Sequence, residues 1–335
     1  MPFPEFDPVL VHLGPLAVRW YALAYVAGIL LGWRYGVALV RNASLWRGTT
    51  PTATDRQIDD FVLWVTLGII VGGRLGYVLF YMLLQQPQEL LHRPWMIFAT
   101  WEGGMSFHGG LIGVITAVVL FARNQKIDII RLGDITAPCV PFGLFFGRIA
   151  NFVNGELWGR PTDAPWGVVF CNTKLQMANG GLCPAGYSPR HPSQLYEALL
   201  EGVVLFAILR FATHGRKLLP RRGAVSGLFL LCYGLFRVAL EGVREPDRGM
   251  PDFPLGLTMG MLLSTPLIIG GAALPIWSRR PQSLAPAAPA PPETEALEPT
   301  LAPGAVPPEA PTDPFAAMDE RSASSFAPDE PEKPA

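Results

Sequence analysis

Seven stretches of this 335-residue chain are apolar over a length that few soluble core helices reach, and the rest of the sequence has to fit around them. A segment that crosses a bilayer needs about 20 mostly apolar residues, because roughly 30 Å of hydrocarbon offers the backbone no outside hydrogen-bonding partner. Residues 20–40, 58–84, 105–122, 135–153, 194–213, 224–243 and 255–277 meet or approach that requirement. The third and fourth are short and glycine-rich, which leaves tilted, broken or partly re-entrant forms open for them. Half of all residues are hydrophobic and only 16% are charged, against about 25% in an ordinary soluble domain. The fold class that follows is an all-α polytopic membrane protein of about seven transmembrane helices.

Two segments lie outside that bundle. Residues 154–193 form the longest loop between spans and are expected to build a small extramembrane cap. Residues 281–335 are rich in Pro, Ala and Glu with few large apolar groups, the composition of a disordered tail, so the membrane domain is expected over residues 1–280. The amino-terminal MPFPEFDPVLVHLGPL has no basic cluster before its apolar part and does not read as a cleavable signal peptide. A net charge of −1, with no basic face, excludes a nucleic-acid binder.

Orientation follows from Lys and Arg, which gather on the cytoplasmic side of membrane proteins. One set of loops holds thirteen of them, including Arg41, Arg47, Lys126, Arg216 and Arg222, and the opposite set holds seven, including Arg19, Arg160 and Lys174. The amino terminus and the cap are therefore expected outside and the tail inside. Of four cysteines, Cys139 and Cys232 sit in apolar runs and read as packing residues, whereas Cys171 and Cys183 share the outer loop, where a disulfide is open to them.

Four arginines interrupt the apolar stretches, and a cation in hydrocarbon costs about 3 kcal/mol or more, so each needs a reason. Arg34, beside Trp33 and Tyr35 near a span end, can snorkel to the interface. Arg74 falls in the middle of the second span among Gly72, Gly73 and Gly76; Gly72 and Gly76 make a GxxxG packing face, but packing does not account for the arginine. Arg148 shares a helical face with Asn151 and precedes Glu156, which can pair with it to hold the helix end. Arg237 shares a stripe with Glu241 and Arg244, and an internal Arg237–Glu241 ion pair is its structural alternative. Taken together, two buried guanidinium groups on different helices can wall one anionic pocket, since their forks match phosphate oxygens. A phospholipid headgroup is the anion at hand. His108, in WEGGMSFHGGLIG, stands at the outer entrance of the third span among five glycines, with a reference pKa suited to proton transfer near neutrality. His191, in HPSQLYE, is expected to anchor the cap.

The run FHGG, then GRIANFVNGELWGR, then HPSQLYE, together with RWYALAY, GGRLGYVLFY and YGLFRVALEGVREPD, resembles the prolipoprotein diacylglyceryl transferase family over about residues 4–278. The resemblance implies a seven-helix enzyme of the bacterial cytoplasmic membrane with its amino terminus in the periplasm. It implies phosphatidylglycerol as diacylglyceryl donor, the lipobox cysteine of a prolipoprotein signal peptide as acceptor, glycerol 1-phosphate as leaving product, and no metal or organic cofactor. Carried over by motif, Arg148 is the lipid-binding arginine, Arg237 the second essential arginine, His108 the motif histidine and Tyr21 the first-span tyrosine. Asn151, Glu156, Tyr233, Glu241 and Arg244 match further important positions, and Arg74 joins them as a substrate-binding candidate.

The chemistry implied is attack by a thiolate on a glycerol carbon while a phosphate ester departs. Arg148 and Arg237 are expected to clamp the phosphate and His108 to accept the thiol proton, with Glu241 or the local positive potential as the alternative means of ionising the cysteine. Two other classes compete. An intramembrane serine protease would use Ser106 and His108, but side chains at i and i+2 do not face each other on a helix and no GxSG accompanies them. A lipid transporter would also bury charges, but no inverted repeat is visible.

Overall fold

The computed structural model describes residues 1–277 apart from 8, 14–15, 86, 101–102 and 247–252. The tail expected over residues 281–335 lies outside the described residues.

Among the described residues, all seven expected spans are helical: α1 (Trp20–Arg41), α2 (Asp55–Met82), α3 (Phe107–Asn124), α4 (Ile129–Val153), α5 (193–215), α6 (Ala224–Leu240) and α7 (Met259–Trp277). α1, α2, α3, α4 and α7 are long and apolar enough to cross a membrane by length and composition; α6 is apolar but shorter, and α5 carries Glu197, Glu201 and Arg210. The chain is an all-α polytopic membrane protein, with a two-stranded hairpin, β1 (Val9–Leu13) and β2 (Leu16–Arg19), leading into α1. Of the two glycine-rich spans, α3 is an unbroken helix, whereas α4 passes through a 3-10 turn at Ala137–Cys139, where Pro138 lacks the amide that an α-helical ladder would use.

Local sequence explains the helix starts. Thr54 and Gln57 exchange side-chain and backbone hydrogen bonds at the start of α2, a capping box, and Ser106 Oγ accepts from the Gly109 amide at 3.2 Å to cap α3. That bond gives Ser106, buried at a helix start, a structural role as a cap.

Lipid tails are as apolar as leucine, so helices associate in a membrane by close packing rather than by hydrophobic gain, and small residues mark where they meet. The Gly72/Gly76 face of α2 lies directly on Gly109 and Gly113 of α3. A Cβ placed on Gly72 would stand 2.5 Å from the Gly109 carbonyl oxygen and 2.7 Å from the Gly113 Cα. Both obstacles are backbone and cannot swing aside. Gly72→Leu is therefore expected to force α2 and α3 apart, with a stability cost of at least about 1–3 kcal/mol, read as a fall in thermal unfolding temperature in detergent. An unchanged transition would refute backbone contact at this seam.

The loop 154–193, hereafter the cap, packs around a small core of Phe3, Val168, Phe170 and Ala185 joined by Phe152, Trp158 and Leu175. Phe3 donates its amide to Val169, so the amino-terminal segment packs into the cap. Cys171 and Cys183 are joined in a disulfide, resolving the pairing that spacing leaves open. Cys139 and Cys232 are free thiols within α4 and α6, as the packing reading expects. His191 anchors the cap, exchanging backbone hydrogen bonds with Gly159 and Arg160 and placing Nδ1 3.3 Å from the Tyr196 hydroxyl.

Candidate functional site

Below the cap, α4, α5, α6 and the segment after α6 bring six charged side chains together. Arg148, on α4, points Nε at the Glu197 carboxylate at 2.6 Å and Nη2 towards Glu201 at 3.6 Å. Glu197 and Glu201 come from α5 and are both fully buried. Glu197 also accepts from Arg244 Nη1 at 3.3 Å, so one carboxylate bridges two guanidinium groups. On α6, Arg237 Nη1 donates to Glu241 at 2.8 Å, one turn away. Tyr233, a turn before Arg237, lies within electrostatic range of Arg148, Arg237, Glu197 and Glu201. Residues from α4 and α6 thus face a common centre supplied by α5.

The local helix geometry serves this convergence. Ala198–Val204 is wound as a π-helix, a form that recurs at functional sites because it re-aims side chains within an otherwise regular helix. It carries Glu201 and Gly202, and a Cβ on Gly202 would stand 2.7 Å from that of Phe145, so α5 lies against α4 beside the cluster.

A second polar chain runs from the cluster's helix towards the cap. Asn151, one turn after Arg148, donates through Nδ2 both to the Tyr21 hydroxyl of α1 and, at 3.0 Å, to Glu156 Oε1. Glu156, beyond the end of α4, lines a cavity of about 390 Å³ under the cap, together with Arg19, Asn154 and Lys174. Asn151, Tyr21 and Glu156 therefore form one connected unit.

Three findings bear on the sequence reading of these arginines. Arg148 pairs with Glu197 and Glu201 rather than with Glu156. Arg237 does form the internal pair with Glu241. The side chains of Arg148 and Arg237 retain 17% and 15% of their exposure, so neither is fully buried. The pairs engage Nε and Nη2 of Arg148 and Nη1 of Arg237, leaving other donors of each five-donor fork for an incoming anion.

Arg74 stands apart from this centre. It is buried in α2 and donates to four backbone carbonyls, those of Met96, Ile97, Gly103 and Gly104, so its guanidinium stitches the loop between α2 and α3. That satisfies its charge in the membrane without a ligand. His108 lies on the first turn of α3 with its ring exposed, and it takes no part in the hydrogen bonds or ion pairs around Arg148.

Glu197 and Glu201 are the site residues that attention to cations alone misses. Their signal is in the sequence: two carboxylates four residues apart inside an apolar run need cationic partners as much as intramembrane arginines need anionic ones.

Comparisons with known proteins place the chain in a family. A family model described as prolipoprotein diacylglyceryl transferase matches residues 8–277. The phosphatidylglycerol–prolipoprotein diacylglyceryl transferase of Caulobacter sp. strain K31 is 65% identical over 286 residues, covering 83% of this chain and 94% of that one. Its counterpart in Phenylobacterium zucineum is 63% identical over 291 residues, covering 86% and 99%, and that of Nitrobacter hamburgensis 51% over 285 residues, covering 84% and 92%. On this evidence the chain belongs to the prolipoprotein diacylglyceryl transferase family.

Proposed function

We propose that this chain transfers the sn-1,2-diacylglyceryl group of phosphatidylglycerol to the lipobox cysteine of prolipoproteins, the first step of bacterial lipoprotein maturation. The observation that carries the reading is the pair of partly open arginines, Arg148 and Arg237, projecting from separate membrane helices towards one buried centre. Such forks match the oxygens of a phosphodiester.

In the reaction, the cysteine sulfur attacks the glycerol carbon that bears the phosphate. The carbon–oxygen bond breaks, its electrons leave with glycerol 1-phosphate, and a thioether forms. Arg148 and Arg237 stabilise the leaving phosphate as charge builds on it, in a site where little water competes. Tyr21, Asn151 and Glu156 hold the end of α4 in register beneath the cap, where the glycerol headgroup is directed. Arg244, through Glu197, fixes the carboxylate that orients Arg148.

His108 is assigned as acceptor of the thiol proton. Its exposed ring at the cap end of α3 supports this role, and Glu241 is the alternative. General-base contributions amount to about 10²–10⁴-fold, so His108→Gln is expected to lower turnover by that factor in a purified assay with phosphatidylglycerol and a lipobox peptide, read as mass gain on the cysteine. Near-normal turnover would remove His108 as obligatory base and leave Glu241 or the local positive potential to ionise the cysteine. A wild-type protein that leaves the peptide mass unchanged would overturn the transferase reading itself.

The cap end, which also holds the amino-terminal segment, is assigned to the periplasm and the arginine-rich loops to the cytoplasm of a bacterial inner membrane, following the distribution of positive charge. Arg222 stacks on Trp277 with its guanidinium carbon 4.6 Å from the ring, so the end of α7 meets one of those basic loops. This supports a cytoplasmic exit for the tail.

A further inference from the structure

Glu201 is a buried carboxylate that the steps above do not use. It is fully buried, and neither of its oxygens has a hydrogen-bond donor. Its ion pair with Arg148 spans 3.6 Å, long for a hydrogen bond, whereas Glu197 and Glu241 are held at 2.6 Å and 2.8 Å by their arginines. The groups that face Glu201 are Arg148 from α4, Glu197 from its own helix, Arg237 and Tyr233 from α6, and Arg244 beyond α6.

Charge bookkeeping makes this carboxylate informative. Three guanidinium groups and three carboxylates balance, so the cluster is formally neutral. A lipid phosphodiester brings one further negative charge into a site with little water. An uncompensated charge there is costly, and the usual relief is for an ionisable group to change its protonation. Of the three carboxylates, Glu201 has the weakest support for its charged form, because no donor touches it and its ion pair is the longest.

We propose that Glu201 takes up a proton from water as the phosphodiester of an anionic lipid binds, freeing Arg148 to turn from a carboxylate to the phosphate while the cluster stays neutral. Glu201 is then a positioning residue that acts through Arg148, and the inference rests on the phosphate-clamp reading given above. Binding that carries a proton with it strengthens as pH falls and weakens as pH rises.

The test is calorimetric titration of short-chain phosphatidylglycerol into the detergent-solubilised full chain, in buffers of different ionisation enthalpy, with zwitterionic phosphatidylcholine as control. The wild-type protein is expected to take up about one proton per lipid bound, with affinity falling up to about tenfold per pH unit on the alkaline side. Glu201→Gln, which removes the charge and keeps the shape, is expected to bind phosphatidylglycerol with no proton uptake and with affinity independent of pH. A residue that only packed the helices would weaken binding without altering the proton count. Zero uptake by the wild-type protein overturns the proposal whether or not the variant folds, as does unchanged uptake by Glu201→Gln. Proton uptake by a wild-type protein that leaves a lipobox peptide unmodified would uphold this proposal and sink the transferase reading.

Discussion

Arg148→Ala is expected to lower kcat/KM for diacylglyceryl transfer by about 10³-fold, the order of effect that follows loss of one aligned donor at a centre of developing negative charge, or about 4 kcal/mol. Two losses coincide in this variant. The leaving phosphate is deprived of a fork from α4, and on α5 the buried Glu201 loses its one ion-pair partner within 4 Å among the described residues while Glu197 keeps only Arg244. Breaking a buried ion pair on one side costs about 3–5 kcal/mol of stability, because the remaining charge is uncompensated. The two effects separate experimentally. Arg148→Lys restores a positive charge without the planar fork, so it is expected to recover thermal stability ahead of turnover. Initial rates with phosphatidylglycerol vesicles and a lipobox peptide, set beside detergent unfolding curves, provide both readings. Activity near that of the wild type in Arg148→Ala would dispose of the clamp.

The second large effect is expected far from the chemistry, at Asp134. This fully buried carboxylate on α4 accepts hydrogen bonds from the backbone amides of Gly223, Val225 and Ser226 and, at 2.9 Å, from the Ser226 hydroxyl. α6 has no capping side chain of its own, since Gly223 occupies the N-cap position, so a residue from another helix satisfies its first turn. The negative charge also complements the positive end of the helix dipole. Asp134→Ala orphans those donors in a dry environment, and a loss of about 3–5 kcal/mol is expected from several charge-assisted bonds at once. Because α6 carries Tyr233 and Arg237 and ends at Glu241, the variant should lose activity at a lower temperature than the wild type while retaining turnover in the cold. An unfolding temperature equal to that of the wild type would show that water or lipid headgroups satisfy the helix start instead.

These two cases show what a sequence discloses and what it hides. The seven helices are legible because a bilayer imposes a length and a composition that loops cannot imitate. Gly72 and Gly76 are legible as a seam because close approach in a membrane demands small residues at that spacing. Arg148 and Arg237 announce themselves by the cost of placing them in hydrocarbon, whereas their relation to α5 depends on how the helices are arranged. The satisfaction of Arg74 was hidden for a different reason: its partners are backbone carbonyls, which every residue possesses and no residue type advertises. Asp134 gives no hint either, since a trans cap depends on where α6 begins in space. The β-hairpin before α1 leaves little trace in the sequence, its strands being only five and four residues long.

The division of the charge cluster among helices has a consequence for biogenesis. The segment bearing Arg148 leaves the ribosome before the one bearing Glu197 and Glu201, and Arg237 and Arg244 follow later still. At translation speeds of about 5–20 residues per second, an arginine-containing hydrophobic segment therefore has to wait on the order of seconds for its counterions. During that interval the translocon must shelter it, or it must hover near the headgroups. Insertion of the two halves is thereby expected to be coupled, the earlier half settling at full depth when the later half arrives to neutralise it.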